Sequence, residues 1–562
     1  MKKKFLAILL AVITVLGAAA GCTVDVRDQN AIDFGNRSKK ITMYYYKAGY
    51  GSEHWAALAR DYMTNYEDEY YIEMVGNTKS VDMRDDIIAN DMDADIVQLS
   101  VDMFGQSSSL EDLTSLYEMT ALGEEESGVA IKDKNRDAYD YYAENVGGQT
   151  KYFRMQSGGN TGGYTFAYNK TTLDGMFGKG AYELPRTTKE FFAFGDEMID
   201  KGGYLFSTAL GDTSGDYTTY LTQLWFAQLM GAEDYYHYMS GEYYNTESSA
   251  WEFAWDGPHM IRDSEKELKD TYEALEDLFI FSNHYLYPYC DASTFDHLAN
   301  NKLFSGAGFS VYPQKTGFMY IGSWLENEMK GVKGAKKGQT YGAIRTPVVS
   351  TLVEYLEYRD GSNYMSDEML SNIIKAIDEG KDYAATKTAA NCANLSENDF
   401  NRIYEARKMI VTVKCSDIVV PKLSSSEQGK KEQIFKFLRY LASDKAQIVA
   451  ANAKGGLNMM AYGKPAEQKD LSVKRTQYVQ TMCDIGADGI VIDTAHANSY
   501  VKKDLPITTL YVPGGEYLGV YFMKNTKSTA QSSQAMFNEL YEAAKNEWSS
   551  GIKKYKADVG IV

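Results

Sequence analysis

The sequence predicts an α/β fold, because strand-like and helical patterns alternate from residue 39 onward. Residues 39–50 (KKITMYYYKAGY) and 70–76 (YYIEMVG) have the length and composition of strands. Residues 52–70 between them carry apolar side chains at helical spacing, and residues 82–100 indicate a helix followed by a short apolar strand. Such a β-α-β-α-β order favours a mostly parallel sheet covered by helices.

The later part of the chain continues this alternation. Residues 184–202 (LPRTTKEFFAFGDEMIDKG) contain a proline near the start, the capping-box pair Thr187 and Glu190, and a glycine at the end, which together predict a helix. Further helices are predicted at residues 217–232, 264–285, 427–452 and near 529–556. Strand-like segments are predicted within residues 151–175, 304–324 and 341–349.

Length and charge limit the classes of protein to consider. The chain has 562 residues, and because a single hydrophobic core stops growing near roughly 250–300 residues, two or more cores are expected. The formal net charge of −19 argues against nucleic acid and against anionic lipid as ligands.

The first residues have the pattern of a bacterial lipoprotein leader. Three lysines follow Met1 and precede an apolar run over 5–16, which is too short to span a bilayer comfortably. The sequence AAGC that ends at Cys22 resembles a lipobox, in which the cysteine is lipidated and becomes the new N-terminus. We therefore expect a signal peptide over 1–21, a Cys22 that carries acyl chains such as palmitate, and a flexible tether over 22–38. The protein would then lie on the extracellular face of the cell membrane, with the lipid as its only membrane contact. An ordinary secretion signal with a chance cysteine is the alternative.

No sequence motif points to catalysis, a metal or a cofactor, and none of these is expected. The cysteines after Cys22 are scattered without a CxxC pair, which favours mostly free, buried thiols at Cys290, Cys392, Cys415 and Cys483. The acidic run at 91–95 is spaced like the start of a calcium loop, but its sixth position, Ile96, is not glycine. A helix end followed by a strand is predicted there instead. No HExxH pattern or nucleophile elbow occurs, so a non-enzymatic role is expected.

Six segments, taken together in their order, resemble one protein family. They are ITMYYYKAGYGSEHWAALARDYMTNY (41–66), ADIVQLSVDMFGQSSSLEDLTSLYE (94–118), TGGYTFAYNKTTLDGM (161–176), LPRTTKEFFAFGDEM (184–198), FMYIGSW (318–324) and EQIFKFLRYLASDKAQ (432–447). The family is the extracellular solute-binding proteins of bacterial ABC importers, in the carbohydrate-binding branch (family 1) that includes maltose-binding protein. Three features depart from its pattern: Lys189 stands where the family usually has tryptophan, residues 350–416 resemble an insertion, and residues 465–562 exceed the family's tail.

The resemblance implies a two-lobed, class II periplasmic-binding-protein-like fold with a hinge and an interlobe cleft. Lobe 1 would comprise residues 39–160 and 320–420, and lobe 2 residues 161–319 and 421–562. Such a protein, expected to be a monomer, would capture a sugar or oligosaccharide by hinge closure and deliver it to the subunits of an ABC permease. The lipid anchor would keep it near that permease. The alternatives are the same fold binding a peptide or polyol, a surface glycoside hydrolase, and a structural adhesin.

The resemblance also implies that loops at strand ends line the cleft, where aromatic rings would stack on a sugar and polar side chains would bind its hydroxyls. The candidate ligand-binding residues are Tyr46, Lys47, Tyr50, Ser100, Asp102, Gln156, Asn160, Tyr164, Trp225, Trp255, Trp324 and Gly456. Packing is the alternative for Trp225, which lies in mid-helix at core-like spacing. Trp255 is spaced i, i+4 from Trp251, either on one helix face or in a loop. Trp324 occupies a position that commonly faces ligand in the family.

Overall fold

The computed structural model describes most of the chain from residue 35 onward. The described residues are 35–47, 49–158, 163–210, 217–280, 283–290, 294–308, 313–412, 417–424, 428–492, 501, 504–506, 511–512, 516–517, 533–559 and 561. The predicted signal peptide over 1–21, the lipidation site Cys22, most of the tether, Asn160 and Cys415 lie outside them.

The strands and helices alternate along the described chain. The strands are β1 Lys39–Tyr46, β2 Tyr70–Asn77, β3 Ile96–Leu99, β4 Glu144–Val146, β5 Gln149–Lys151, β6 Arg154–Gln156, β7 Tyr164–Asn169, β8 Tyr204–Phe206, β9 Glu242–Asn245, β10 Ala250–Phe253, β11 Thr316–Gly322, β12 Tyr341–Ile344, β13 Met409–Ile410, β14 Asp417–Val419, β15 Ile490–Val491, β16 Tyr511–Val512 and β17 Glu516–Tyr517. The helices are α1 Glu53–Asn65, α2 Ser80–Ile88, α3 Thr114–Tyr117, α4 Ile131–Lys134, α5 Arg136–Tyr141, α6 Lys170–Phe177, α7 Thr188–Asp200, α8 Thr218–Met230, α9 Ala232–Met239, α10 His259–Asp263, α11 Glu265–Phe279, α12 His297–Lys302, α13 Leu325–Gly331, α14 Asp367–Asp378, α15 Tyr383–Ala389, α16 Glu397–Lys408, α17 Lys431–Leu441, α18 Asp444–Ala453, α19 Gln477–Ala487 and α20 Ser533–Val559.

The described residues fall into two compact units. Unit 1 contains the described residues up to 158 and residues 417–474, and unit 2 contains residues 163–412 and those from 475 onward. Two units agree with the two or more cores expected from the length. The predicted α/β class is confirmed, since each unit combines a sheet with helices.

Unit 1 is built on a five-stranded sheet in the order β2-β1-β3-β14-β6. β1 is parallel to β2 and β3, as the β-α-β-α-β order predicts, whereas β14 is antiparallel to β3 and β6. Helix α1 packs on β2 and α18. Beneath the sheet, α2 and the strands share one apolar cluster, whose buried members are Met83, Ile87, Val97, Leu99, Met103, Leu110, Phe153 and Val419.

Unit 2 is built on a four-stranded sheet in the order β12-β7-β11-β8. Unlike the parallel sheet that the sequence predicts, β7 is antiparallel to both of its neighbours, β11 and β12. Every residue of β7 is buried, because it is an inner strand covered on both faces. Helix α8 is buried along nearly all of its length by α9, α11 and α16, which explains why its sequence has no polar stripe.

The division of the chain between the units differs from the expected lobes. Residues 320–412 are expected in the same lobe as residues 39–160. They belong instead to unit 2, because β11 and β12 pair with β7. Residues 428–474 belong to unit 1, because α17 and α18 pack on α1. Residues 465–562, which are longer than the tail of the resembled family, supply two helices. Helix α19 packs on β12, and helix α20 packs on α11.

Local structure follows the predicted elements with three differences. The helix predicted over 427–452 is two helices, α17 and α18, because the Ser443 side chain accepts a hydrogen bond from Ala446 N (3.1 Å) and starts a new helix. In the described part of 304–324, the strand runs over Thr316–Gly322, and residues 304–308 are not a strand. Trp251 lies on β10 and Trp255 just beyond it, so they share no helix face.

Three expectations about local structure agree with the fold: the start of α7, the role of the acidic run and the burial of the described cysteines. Helix α7 begins where the capping box predicts, with Thr187 Oγ1 accepting from Glu190 N (3.2 Å). The acidic run at 91–95 joins α2 to β3, as predicted. Cys290, Cys392 and Cys483 are buried. Among the described residues, no helix is long and apolar enough to cross a membrane, and no group of three or more candidate ligands could hold a metal.

Candidate functional site

An aromatic cluster lies at one edge of the unit 2 sheet. The end of β11 lies beside the start of β7 there, since Gly322 pairs with Tyr164. Trp324 follows β11 and immediately precedes α13, and Tyr217 immediately precedes α8. The chain thus brings two residues predicted to bind ligand, Tyr164 and Trp324, to the same place.

The rings of this cluster contact one another in stacked and edge-to-face arrangements. Tyr164 stacks on Tyr220 with centroids 4.2 Å apart and an interplanar angle of 12°. The Trp324 ring meets Tyr164 edge-on at 5.3 Å and Tyr217 at 5.8 Å. Tyr164 and Trp324 are buried, whereas Tyr217 and Tyr220 are partly exposed. The two inner rings therefore support the two outer ones, and each such pair contributes roughly 0.5–1.5 kcal/mol beyond the area it buries.

Three polar side chains form a hydrogen-bonded group, of which His297 contacts the rings. His297 at the start of α12 lies edge-on to Tyr217 at 5.5 Å, and its Nε2 is 2.6 Å from Glu328 Oε2. Asn301 donates to the same carboxylate oxygen (3.0 Å). Asn301 Oδ1 is buried, and no hydrogen-bond partner for it exists within the described chain. Hydrogen-bonding groups thus stand at the border of an aromatic surface.

The backbone turn after β11 is fixed by residues at the start of α19. Tyr478 on α19 donates its hydroxyl hydrogen to Gly322 O (2.8 Å), and Thr476 Oγ1 donates to Glu326 (2.8 Å). Burial raises the pKa of Glu326. A Cβ at Gly322 would lie 2.0 Å from the Trp324 ring, so only glycine lets the indole fold back over the strand end. The position of Trp324 is therefore specified by both backbone and packing.

In unit 1, several predicted residues lie at one edge of the five-stranded sheet. Tyr46 ends β1 beside Asn77, and its backbone N donates to Gln98 Oε1 (2.9 Å). Ser100 follows β3, and its backbone N donates to Ser80 Oγ (2.7 Å). The carboxyl ends of the parallel strands β1 and β3 share an edge, so these residues lie on the same side of the sheet.

The same edge continues across β14 to β6. Asp417 pairs with Leu99 on one side and with Gln156 on the other. The Gln156 side chain donates to Gly158 O (2.7 Å). Lys47 N donates to Asn77 O (2.8 Å), and Tyr50 in the following loop is half-buried. This edge of unit 1 therefore presents mostly polar groups and tyrosines.

Asp102 is held at this edge by a buried arginine. Arg154 Nη1 donates to Asp102 Oδ1 (2.7 Å), with the Arg154 side chain 0% exposed and the Asp102 side chain 58% exposed. Glu144 and Asp417 also face this guanidinium, at 3.2 and 3.6 Å. Burial raises the pKa of Glu144, although Arg154 opposes the shift. One arginine thus fixes an exposed carboxylate that could accept hydrogen bonds from a ligand.

The remaining predicted residues lie elsewhere in their units. Trp225 is fully buried in α8 and its Nε1 donates to Pro347 O (3.1 Å), which assigns it to the core of unit 2 rather than to a ligand site. Trp255 is 44% exposed and packs beside Phe253 and Tyr555, away from the aromatic cluster of Tyr164. Gly456 is buried in unit 1, with a φ of +94° that favours glycine.

Sequence reasoning missed the other members of the unit 2 cluster. Tyr217 and Tyr220 begin a helix and are three residues apart, which is a signal for a shared face. In a chain with 45 tyrosines that signal is weak, because many tyrosines satisfy it. No local pattern marks His297, Asn301 and Glu328, which meet only because α12 packs on α13.

Comparison with known proteins shows the fold. No protein-family model and no curated protein matches the chain. Among solved structures, the apo form of RafE from Streptococcus pneumoniae is similar, with a TM-score of 0.51 and 13% identity over 92% of this chain and 100% of that one. The SBP RafE in complex with raffinose has a TM-score of 0.50 and 13% identity over 90% and 99% of the two chains. The bacterial solute receptor AcbH, described as exclusively preferring β-D-galactopyranose, has a TM-score of 0.52 and 10% identity over 94% and 100%. The chain therefore has the fold of solute-binding receptors, which confirms at the level of fold the resemblance found in its sequence.

Proposed function

We propose that this protein binds a sugar or oligosaccharide outside the cytoplasm and delivers it to an ABC permease. The observation that carries the proposal is the aromatic cluster of unit 2, in a chain with the fold of solute-binding receptors. The receptors of similar fold are described by the solutes that they bind, which supports a binding role rather than an enzymatic one.

The chemistry of the cluster suits a sugar. A pyranose ring has apolar C–H faces, which stack on aromatic rings, and a rim of hydroxyls, which need donors and acceptors. The partly exposed Tyr217 and Tyr220 would supply the stacking surface. His297 would supply a hydrogen bond, because Glu328 fixes its imidazole beside Tyr217. Binding by hinge closure would enclose the ligand.

The proposed membrane anchor gives this role its location. Acyl chains on Cys22 would add roughly 0.8 kcal/mol per buried methylene, so two or three chains would hold the receptor at the extracellular face. A tethered receptor meets its permease at a higher effective concentration than a free one. We expect Cys22→Ser to move the protein from the membrane fraction to the soluble fraction when cells are fractionated, and an unchanged membrane fraction would contradict the anchor.

A ligand screen tests the sugar assignment. Full-length protein is titrated by calorimetry with galactose, raffinose and longer oligosaccharides, chosen from the solutes named for receptors of this fold. A ligand at 100 times its Kd stabilises the folded state by roughly 2.7 kcal/mol, which also raises the Tm. Binding of a peptide or a polyol with no response to any sugar would leave the fold unchanged but refute the carbohydrate assignment.

A matched pair of variants tests the location of the site. Tyr220→Ala removes an outer ring that stacks on Tyr164, and we expect the Kd for the sugar to rise about tenfold, equivalent to ~1.4 kcal/mol. Tyr236→Ala removes a tyrosine that is 48% exposed on α9 of the same unit and should leave the Kd unchanged. Equal affinities for the two variants, with both folded by circular dichroism, would place the sugar elsewhere.

A further inference from the structure

Unit 2 contains a cavity of about 340 Å³ that is separate from the aromatic cluster. Its walls come from the loop before α7 and from the ends of β12, α14, α16 and α19. Four of its lining residues are cationic, namely Arg186, Arg345, Arg407 and Lys408. Three are aspartates, namely Asp378, Asp484 and Asp488. The side chains that line the cavity therefore carry one more positive charge than negative charge.

The four cations are largely withdrawn from solvent. Their side chains are exposed by 6% at Arg407, 9% at Lys408, 11% at Arg345 and 19% at Arg186. Taking a charge out of water is unfavourable unless an opposite charge compensates it. Four such groups around one small cavity therefore require a comparable supply of negative charge.

The aspartates supply only part of that charge. Asp378 accepts two hydrogen bonds from Arg407, at 2.9 and 2.7 Å. Asp488 is shared, with one carboxylate oxygen paired with Arg345 and the other with Lys408. Asp484 accepts from Gln480 on its own helix (2.7 Å). A single carboxylate thus serves two cations on one side of the cavity.

Arg345 has a hydrogen-bond donor that none of the described residues around it uses. Its Nη1 is buried, and within the described residues no acceptor lies in hydrogen-bonding reach of it. Burial lowers the pKa of Arg345, and the neighbouring Arg407 acts in the same direction against the attraction of Asp488. A buried donor without an acceptor is unfavourable, so the described residues around the cavity leave both an acceptor and a negative charge to be supplied at the same place.

We propose that this cavity binds a small molecule that carries a phosphate or carboxylate group. The oxygens of such a group accept bidentate hydrogen bonds from guanidinium, which is the geometry that arginine favours. The volume lies at the lower end of the roughly 300–1,000 Å³ typical of small-molecule sites, so the ligand is a metabolite-sized anion rather than a polymer. The site is distinct from the proposed sugar site, and neither assignment depends on the other.

The test uses the full-length protein without sugar. Inorganic phosphate and acetate are each titrated by calorimetry, and the Tm is recorded in parallel, with sodium chloride at the same ionic strength as the reference. We expect saturable binding of at least one of the two anions and a Tm above that in chloride. The anion that binds more tightly identifies the group that the site prefers. No heat and no Tm increase beyond chloride for either anion would overturn the proposal.

Variants locate the binding. Arg345→Gln should weaken the binding of the preferred anion at least tenfold, because it removes the charge and the unused donor together. Arg186 pairs with the exposed Glu183, so Arg186→Gln perturbs the fold less and should weaken binding several-fold. The control is Arg262→Gln, an equal change in net charge at an exposed arginine outside the cavity. An equal loss of affinity in Arg262→Gln would show a general charge effect and refute the site.

Discussion

Substitution of His54 should change how the stability of unit 1 depends on pH. His54 lies in the first turn of α1, directly after the loop that holds Tyr50. Its imidazole is buried beside Trp55, with ring centroids 5.0 Å apart, and its Nδ1 has no hydrogen-bond partner in the described part of the chain. Burial lowers the pKa of His54 to about 3, and the charge of Lys454 adds to the shift, whereas Glu53 opposes it.

The size of the effect follows from the two protonation states. In the unfolded chain the imidazole has its ordinary pKa of about 6.5, so below that pH the unfolded state takes up a proton that the folded state refuses. The stability contributed by neutral His54 is therefore fully present above pH 6.5 and is lost as the pH falls toward 3. Each unit of pH costs roughly 1.4 kcal/mol, which amounts to about 2 kcal/mol at pH 5.

Urea unfolding at pH 7.5 and pH 5.0 measures this contribution. The wild-type protein should lose about 2 kcal/mol more between the two pH values than His54→Gln, whose side chain does not titrate. Val81→Gln is the control, because it places a glutamine at an exposed position of α2 in unit 1 and removes no titratable group, so the pH dependence should match that of the wild type. Parallel losses in the wild type and in His54→Gln would refute the reasoning, since they would show that this imidazole titrates alike in both states.

Three further substitutions have definite expected outcomes. Arg154→Met leaves buried carboxylates without their cation and should lower the free energy of unfolding in urea by about 3–5 kcal/mol at pH 7. This loss should become smaller at lower pH as the carboxyls protonate, and a loss that becomes larger would contradict this account. Gly322→Ala places a methyl group against the Trp324 ring, so it should lower the free energy of unfolding by about 1–3 kcal/mol and shift the tryptophan fluorescence. Gly331→Ala is the control and should do neither, because its new methyl group has no atom within 4 Å. Ser443→Ala should lower the free energy of unfolding by about 1 kcal/mol because α18 loses its cap, whereas Ser443→Gly should lower it by only about a few tenths of a kcal/mol. Similar losses for the two variants would show that the cap contributes little.

Periodicity and end signals were sufficient for elements whose structure is decided locally. Helix α7 starts where Thr187 and the following residues predict, because a side-chain cap acts within one turn. The break at Ser443 was missed because the apolar periodicity continues across it, so that only the cap geometry separates α17 from α18. Apolar periodicity indicates which face of a helix is buried, but it does not indicate whether one helix continues or two helices follow each other.

Assignment of strands to sheets was beyond the sequence for a different reason. β11 and β12 have the composition of buried strands, which suits either unit equally well. Their place beside β7 is fixed by pairing between residues more than 100 positions apart, such as Gly322 with Tyr164. No property of a single strand encodes its partner, so the observed units differ from the predicted lobes at 320–412 although the strands themselves agree with prediction.

The candidate site shows the same limit for side chains. Trp225 and Trp324 are both tryptophans in apolar surroundings, yet one fills the core and the other belongs to a cluster with partly exposed rings. The difference arises from the neighbours: α8 is covered on all sides around Trp225, whereas Trp324 follows the end of a strand, where the sheet stops and other elements must cover it. Side chains at strand ends are therefore better candidates for ligand contact than side chains of equal hydrophobicity in mid-helix. The reason is geometric, since the edge of a sheet is where packing is least complete and a ligand can replace a missing neighbour.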